Sequence, residues 1–202
     1  QLVAQEMQSI DASLDEKKCL KKASDALKAA GISLKAKKEE IEKADALFFM
    51  SNRQAKEIAR LKEENEFLAK ALKEYPSVDI ALFGRMAASD PTLNYDAASQ
   101  VAHAISTHAV QNEYDYFTAV DDISEDDNAG AGHLGTVEFN SSTLYRYANV
   151  NVSELRKTLD DAADVAVVVR KFAEAFIRSM PTGKENTFAN RTFPDAVYVT
   201  IR

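Results

Sequence analysis

One cysteine in 202 residues cannot form an internal disulfide, and a chain without disulfides fits a reducing cytoplasm better than a secreted setting. The Asn-x-Ser/Thr triplets beginning at Asn140, Asn151 and Asn190 then read as chance matches. No apolar run approaches the roughly 20 residues that span a bilayer. The longest candidate, Ala46-Leu47-Phe48-Phe49-Met50, is one helix face at most, so no membrane partner is expected. Six glycines and four prolines are too few for a disordered or collagenous chain. Positive charge is short as well: 25 Lys and Arg against 32 Asp and Glu leave a net charge of −7 and a pI near 5.1. That balance is the opposite of the usual electrostatic footprint of a nucleic-acid-binding protein.

What is present is ordinary globular text, 46% hydrophobic and 28% charged, long enough for one large domain or for one domain carrying a smaller insert. Gln1 is not an initiator residue and Thr200-Ile201-Arg202 breaks off inside an alternating pattern, so both ends read as truncated. Composition shifts near Pro76. Up to Tyr75 there are 15 Lys/Arg and 14 Asp/Glu with one glycine and no proline; beyond it there are 10 and 18.

The first region reads as helical. Asp11 or Ser13 is expected to cap a helix running through Ala30, Gly31 to take the left-handed position after it, and Ser33 to cap the next helix. A third helix is expected from about Ser51 to Glu74, with Ile58, Leu61, Leu68 and Leu72 at near-heptad spacing and Pro76 as its stop. Strand patterns follow: Val78 to Met86, Tyr114 to Val120, and the alternation from Thr136 to Val152. A helical stretch from Ser153, interrupted near Asp160-Asp161, places Val165, Val168, Phe172, Ala175 and Phe176 on one side of its second part, Ala162 to Ser179. Ala196 to Arg202 alternates again as a strand. Strand, long helix, strand implies a sheet with a covered face and an α+β fold; a ferredoxin-like, RRM-like sheet satisfies it, but periodicity does not choose the strand order.

Enzyme signatures fail on context. Gly130-Ala131-Gly132-His133-Leu134-Gly135 matches the dinucleotide fingerprint in letters, yet it follows the acids Glu125-Asp126-Asp127 and precedes a strand, so a hairpin tip is expected. Asp121, Asp122, Glu125, Asp126 and Asp127 have neither the spacing nor the glycine of a calcium loop and read as solvated; no metal or cofactor is expected. His103 and His108, five apart, do not share a helical face and are expected as plain helix residues. Cys19 has no His or Asp constellation for nucleophilic chemistry. Two aromatic clusters remain, Tyr114, Tyr116 and Phe117, and Tyr145 with Arg146 and Tyr147. Single strands are held by such side chains, but at period two they are also ordinary sheet residues.

Several phrases occur in one order: Asp79-Ile80-Ala81-Leu82-Phe83-Gly84-Arg85-Met86-Ala87, Val101-Ala102-His103-Ala104-Ile105-Ser106-Thr107-His108, Asp115-Tyr116-Phe117-Thr118-Ala119-Val120-Asp121-Asp122, His133-Leu134-Gly135-Thr136, Glu138-Phe139 and Tyr145-Arg146-Tyr147-Ala148-Asn149. Together they resemble the CasC family, the backbone subunit of the type I-E CRISPR Cascade complex. The resemblance implies a helical fingers domain over 1–77 and a partial RRM-like palm over 78–202, including a hairpin-like thumb at about 109–142. It implies a non-enzymatic, cytoplasmic protein of antiviral defence that stacks head to tail with further copies of itself along a CRISPR guide RNA. Other Cascade subunits and target DNA paired to the guide would be its remaining partners.

By the same resemblance Met86 is an apolar wedge at a displaced base and Arg85 a nearby polar or phosphate contact. Tyr116, Phe117, Thr118, Val120 and Leu134, with His133 beside them, belong to the thumb that covers the kink. Two alternatives stand beside this: a metal-dependent ribonuclease using Asp121 or Asp122, and a purely structural helical adaptor.

Overall fold

The computed structural model describes residues 1–35, 43–44, 47–61, 65–119, 133–159 and 164–202. The chain divides into two compact units: Gln1–Gln100 with Asn149–Arg202, and Val101–Ala148.

The first unit opens with α1 (Leu2–Ile10) and α2 (Glu16–Ala29). The cap of α2 is Asp15, whose carboxylate accepts the Lys18 N–H at 2.7 Å. Asp11, expected in that role, instead closes a local turn by accepting from the Ser13 N–H and hydroxyl. Gly31 takes its expected place at φ +91°. There the Ile32 N–H reaches back to Leu27 O and the Gly31 N–H to Lys28 O, the six-to-one and five-to-two bonds that finish a helix at a left-handed residue. Ser33 starts no helix: Leu34–Lys35 is a strand, β1, paired antiparallel with β2 (Lys43–Ala44).

The long helix expected over Ser51 to Glu74 is two helices, α3 (Asn52–Leu61) and α4 (Asn65–Lys73), which pack on each other. A continuous helix would place its ends about 35 Å apart, whereas the Ser51 hydroxyl donates to Tyr75 O at 2.8 Å. Ile58, Leu68 and Leu72 are therefore buried across a hairpin, not along one stripe. With Val3, Met7, Ala23, Ala26, Ala55 and Leu93 they form the helical core. Its many alanines let helix backbones approach closely.

Val78 to Met86, expected as a strand, is largely α5 (Val78–Phe83). A short apolar run reads alike in either state. The decision falls to its ends: the Ser77 hydroxyl accepts the Ile80 N–H at 3.3 Å, and Gly84 turns out at φ +77°. A single 3-10 turn, Pro91–Leu93, follows, and β3 (Ser99–Val101) pairs with β8 (Ala148–Val150). Then come α6 (Val152–Thr158), capped by Asn151, and α7 (Val165–Arg178), capped by Asp164, which matches the expected interrupted helix. Ala81, Leu82, Ala98, Leu155 and Leu159 form a second core, against which Val165, Val168 and Phe172 pack. After α8 (Glu185–Phe188) the chain has no regular structure. The strand expected over Ala196 to Arg202 is absent: no neighbouring strand accepts its ladder, and Val197, Val199 and Ile201 are exposed.

In the second unit β4 (Ile105–Ser106) pairs with β7 (Leu144–Tyr145), and β5 (Glu113–Ala119) forms a seven-pair antiparallel ribbon with β6 (His133–Phe139). His103 lies outside any regular element and His108 in a bend, so neither is in a helix. His108 Nε2 accepts the Thr143 N–H at 3.1 Å, a tie across the β4–β7 pair. The fold is thus α+β, and among the described residues every sheet has two strands. No helix among them is long and apolar enough to cross a membrane.

Replacing Ile58, fully buried in the helical core, by Ala is expected to lower stability by about 2–5 kcal/mol, measured by urea unfolding.

Candidate nucleic-acid interface

The segment after α5 combines a rigid backbone with an open side chain. Gly84 is forced: besides its positive φ, a Cβ there would stand 2.8 Å from Tyr95 O. Arg85 exchanges both backbone hydrogen bonds with Tyr95, at 3.0 and 2.9 Å. The Ala87 N–H donates to Asn94 Oδ1 at 2.7 Å, and its methyl is buried. Between these two anchors Met86 is 78% exposed. An apolar side chain held in water on a fixed backbone gains nothing for the isolated fold.

Sequence places a polar or phosphate contact at Arg85, but the structure leaves the residue only 4% exposed. Its Nε and Nη2 donate to Leu93 O at 3.0 and 2.9 Å. Nη2 also reaches Leu72 O at 2.7 Å, and Nη1 reaches Phe49 O and Gln54 Oε1 at 3.2 and 3.3 Å. The rings of Phe48 and Tyr95 flank it at 4.9 and 5.1 Å. Burial pulls the guanidinium down from its ordinary value, with Tyr95 opposing, yet arginine stays protonated in proteins. Burial likewise raises the Tyr95 phenol, against the pull of Arg85, and its hydroxyl donates to Lys73 O. Arg85 thus supports the segment from inside and leaves Met86 as its exposed member.

Gln54 completes this node. Ser51 and Gln54 cap α3 reciprocally: the Ser51 N–H donates to Gln54 Oε1 at 3.1 Å and the Gln54 N–H to Ser51 Oγ at 3.0 Å, a capping box legible in Ser51-Asn52-Arg53-Gln54. Gln54 Nε2 then donates to Leu72 O and Glu74 O, carbonyls at the end of α4. The spacing of Ser51 and Gln54 carries that signal in the sequence, whereas nothing local marks Tyr95.

The β5–β6 ribbon gathers most of the remaining expected residues, but on two faces. Neighbours along a strand point to opposite sides, and the register pairs Tyr116 with Thr136, Phe117 with Gly135, and Thr118 with Leu134. Tyr114, Tyr116, Thr118 and Leu134 therefore share one face. Tyr116 and Leu134 there are 76% and 65% exposed. Phe117 belongs to the other face, where its ring lies over Gly135 so closely that a Cβ would meet it at 2.5 Å. A glycine opposite an aromatic makes room for the ring. His133 stands opposite Ala119 in the register. Val120, Gly130, Gly132 and the acids from Asp121 to Asp127 lie outside the described residues.

An isolated two-stranded ribbon is marginally stable in water, and every residue of β5 is exposed. The two strands carry Glu113, Asp115 and Glu138 and no Lys or Arg. The two strands thus present apolar, aromatic and acidic side chains and no lysine or arginine for a phosphate. Among the described residues no group of three or more His, Cys, Asp or Glu side chains is placed to hold a metal.

A family model described as "CT1975-like protein" matches residues 1–202. A solved chain described as "CRISPR RNA-guided surveillance complex, pre-nicking" is 31% identical with a TM-score of 0.69, covering 96% of this chain and 59% of its own length. Another, described as "CRISPR RNA-guided surveillance complex", is 43% identical with a TM-score of 0.48 over 58% of this chain and 45% of its own. This chain thus spans less than two thirds of either. No curated protein matches it.

Removing the Gln54 amide breaks the capping box, at about 0.5–2 kcal/mol, and takes the donor from Glu74 O, at about 1–3 kcal/mol, while Leu72 O keeps Arg85. Gln54→Ala is therefore expected to lose at least about 2 kcal/mol in urea unfolding, more than a surface Gln→Ala change elsewhere in the helices.

Proposed function

Because the chain belongs to the CT1975-like protein family, we propose that it is a guide-RNA-holding backbone subunit of a Cascade-type CRISPR surveillance complex. The fold it shares over 96% of its length with a chain of a CRISPR RNA-guided surveillance complex supports this reading. The observation that carries it is Met86, open to solvent between two anchored residues. A base pushed out of its stack loses apolar contact on both sides, and a preset thioether offers a replacement surface.

In this reading the protein is not an enzyme. Copies assemble head to tail along one CRISPR RNA, a heterologous contact that continues as a filament instead of closing. Met86 of one copy meets a displaced nucleotide, and the exposed ribbon of the next, through Tyr116, Thr118 and Leu134, covers it. Phe117, on the opposite face, braces the ribbon across Gly135. The grip repeats at regular intervals, leaves the intervening bases free for target DNA, and delegates sequence reading to the guide. The remaining assignments, to type I-E, to an RRM-like palm and to the cytoplasm, belong to the same proposal.

Fluorescence anisotropy of the complete subunit with single-stranded RNA across a salt series tests it. Met86→Ala and Tyr116→Ala are each expected to weaken binding by about 5- to 150-fold, the equivalent of a lost stacking contact. The slope of log affinity against log salt should stay unchanged, because neither residue neutralises a phosphate. Wild-type binding that is absent or insensitive to salt would overturn the reading. In the same samples RNA should stay full length with Mg²⁺; cleavage would favour the ribonuclease reading.

A further inference from the structure

We infer that Arg85 is a positioning residue for the RNA grip: it touches no RNA, but fixes the backbone from which Met86 projects. The inference rests on the proposed RNA-holding role and adds to it the element that sets the wedge.

Met86 has no anchor of its own; its direction is inherited from its neighbours. On one side Ala87 is held through Asn94. On the other, Arg85 is held twice, by its backbone exchange with Tyr95 and by five side-chain hydrogen bonds. The acceptors come from separate stretches: Phe49 before α3, Gln54 within it, Leu72 near the end of α4, and Leu93 in the 3-10 turn. A planar five-donor fork can reach them together; an ammonium cannot. The guanidinium therefore ties the helical core to the turn bearing Met86, and a shift of either helix is passed to the wedge. A stabilising arginine with no bearing on function could sit beside any residue. This one adjoins the most exposed apolar side chain of the segment from Ser77 to Ala98.

The experiment uses the complete subunit assembled with its guide RNA, and reads the chemical reactivity of each guide nucleotide inside the assembled particle. Wild type is expected to show reactive nucleotides at a regular interval, and Met86→Ala to lose about fivefold or more of that reactivity. Arg85→Lys, which keeps the charge and loses the fork, is expected to reproduce the Met86→Ala pattern in particles that still assemble. Met7→Ala, which opens a buried site on α1, an element that supplies no acceptor to the fork, is expected to keep the wild-type pattern. If Arg85→Lys does not assemble, Gln54→Ala, which removes one acceptor and leaves the arginine, should give a partial loss.

A wild-type pattern in assembled Arg85→Lys particles, or in Gln54→Ala where Arg85→Lys fails, overturns the inference while leaving the RNA reading intact. So does a Met7→Ala pattern as altered as that of Arg85→Lys, since stability alone would then explain it. A guide with no periodic reactivity in wild type, or a Met86→Ala pattern equal to wild type, removes the RNA reading and this inference with it.

Discussion

The carbonyls at the end of an α-helix have no partners within the helix. In this fold those of α4 are answered almost wholly by side chains from elsewhere. Leu72 O receives Arg85 and Gln54, Lys73 O receives the Tyr95 hydroxyl, Glu74 O receives Gln54, and Tyr75 O receives Ser51. A cation at that position also meets the negative end of the helix dipole. The helical hairpin, the turn after α5 and the 3-10 turn all depend on this node. Without it a buried guanidinium and several carbonyls would be left unsatisfied in the interior.

Rigidity and exposure are divided between two kinds of structure. The backbone of Met86 is fixed because its neighbours are tied into a hydrogen-bonded core, so the point from which its side chain projects is set by the fold. The ribbon is the reverse: two strands with exposed aromatics and no core beneath β5. A protein that grips a strand between a fixed point and a surface supplied by a neighbouring copy would need one element of each kind.

Charge takes a secondary place in this picture. An acidic chain is a poor candidate for nucleic acid on composition alone, and the ribbon repeats that acidity. Its useful surface is aromatic and aliphatic, which suits a base better than a phosphate. In the proposed role, electrostatic attraction for RNA arises away from these two strands.

Local sequence determined a good part of the molecule. The helical character up to Tyr75, the left-handed Gly31, the break between α6 and α7 and the strand beginning near Tyr114 all follow from caps, composition and alternation over a few residues. Only the tertiary structure decided that the chain folds back between α3 and α4, that Val78 begins a helix, that Ala196 to Arg202 finds no sheet, and that Tyr116 and Phe117 face opposite ways. Arg85 marks the boundary most clearly. The resemblance makes it a polar or phosphate contact, but the oxygens it binds lie 8, 13, 31 and 36 positions away in the chain. Periodicity reports which face of an element is apolar. It carries no information about which distant carbonyls will lack a donor, and that shortage is what drew the arginine inside.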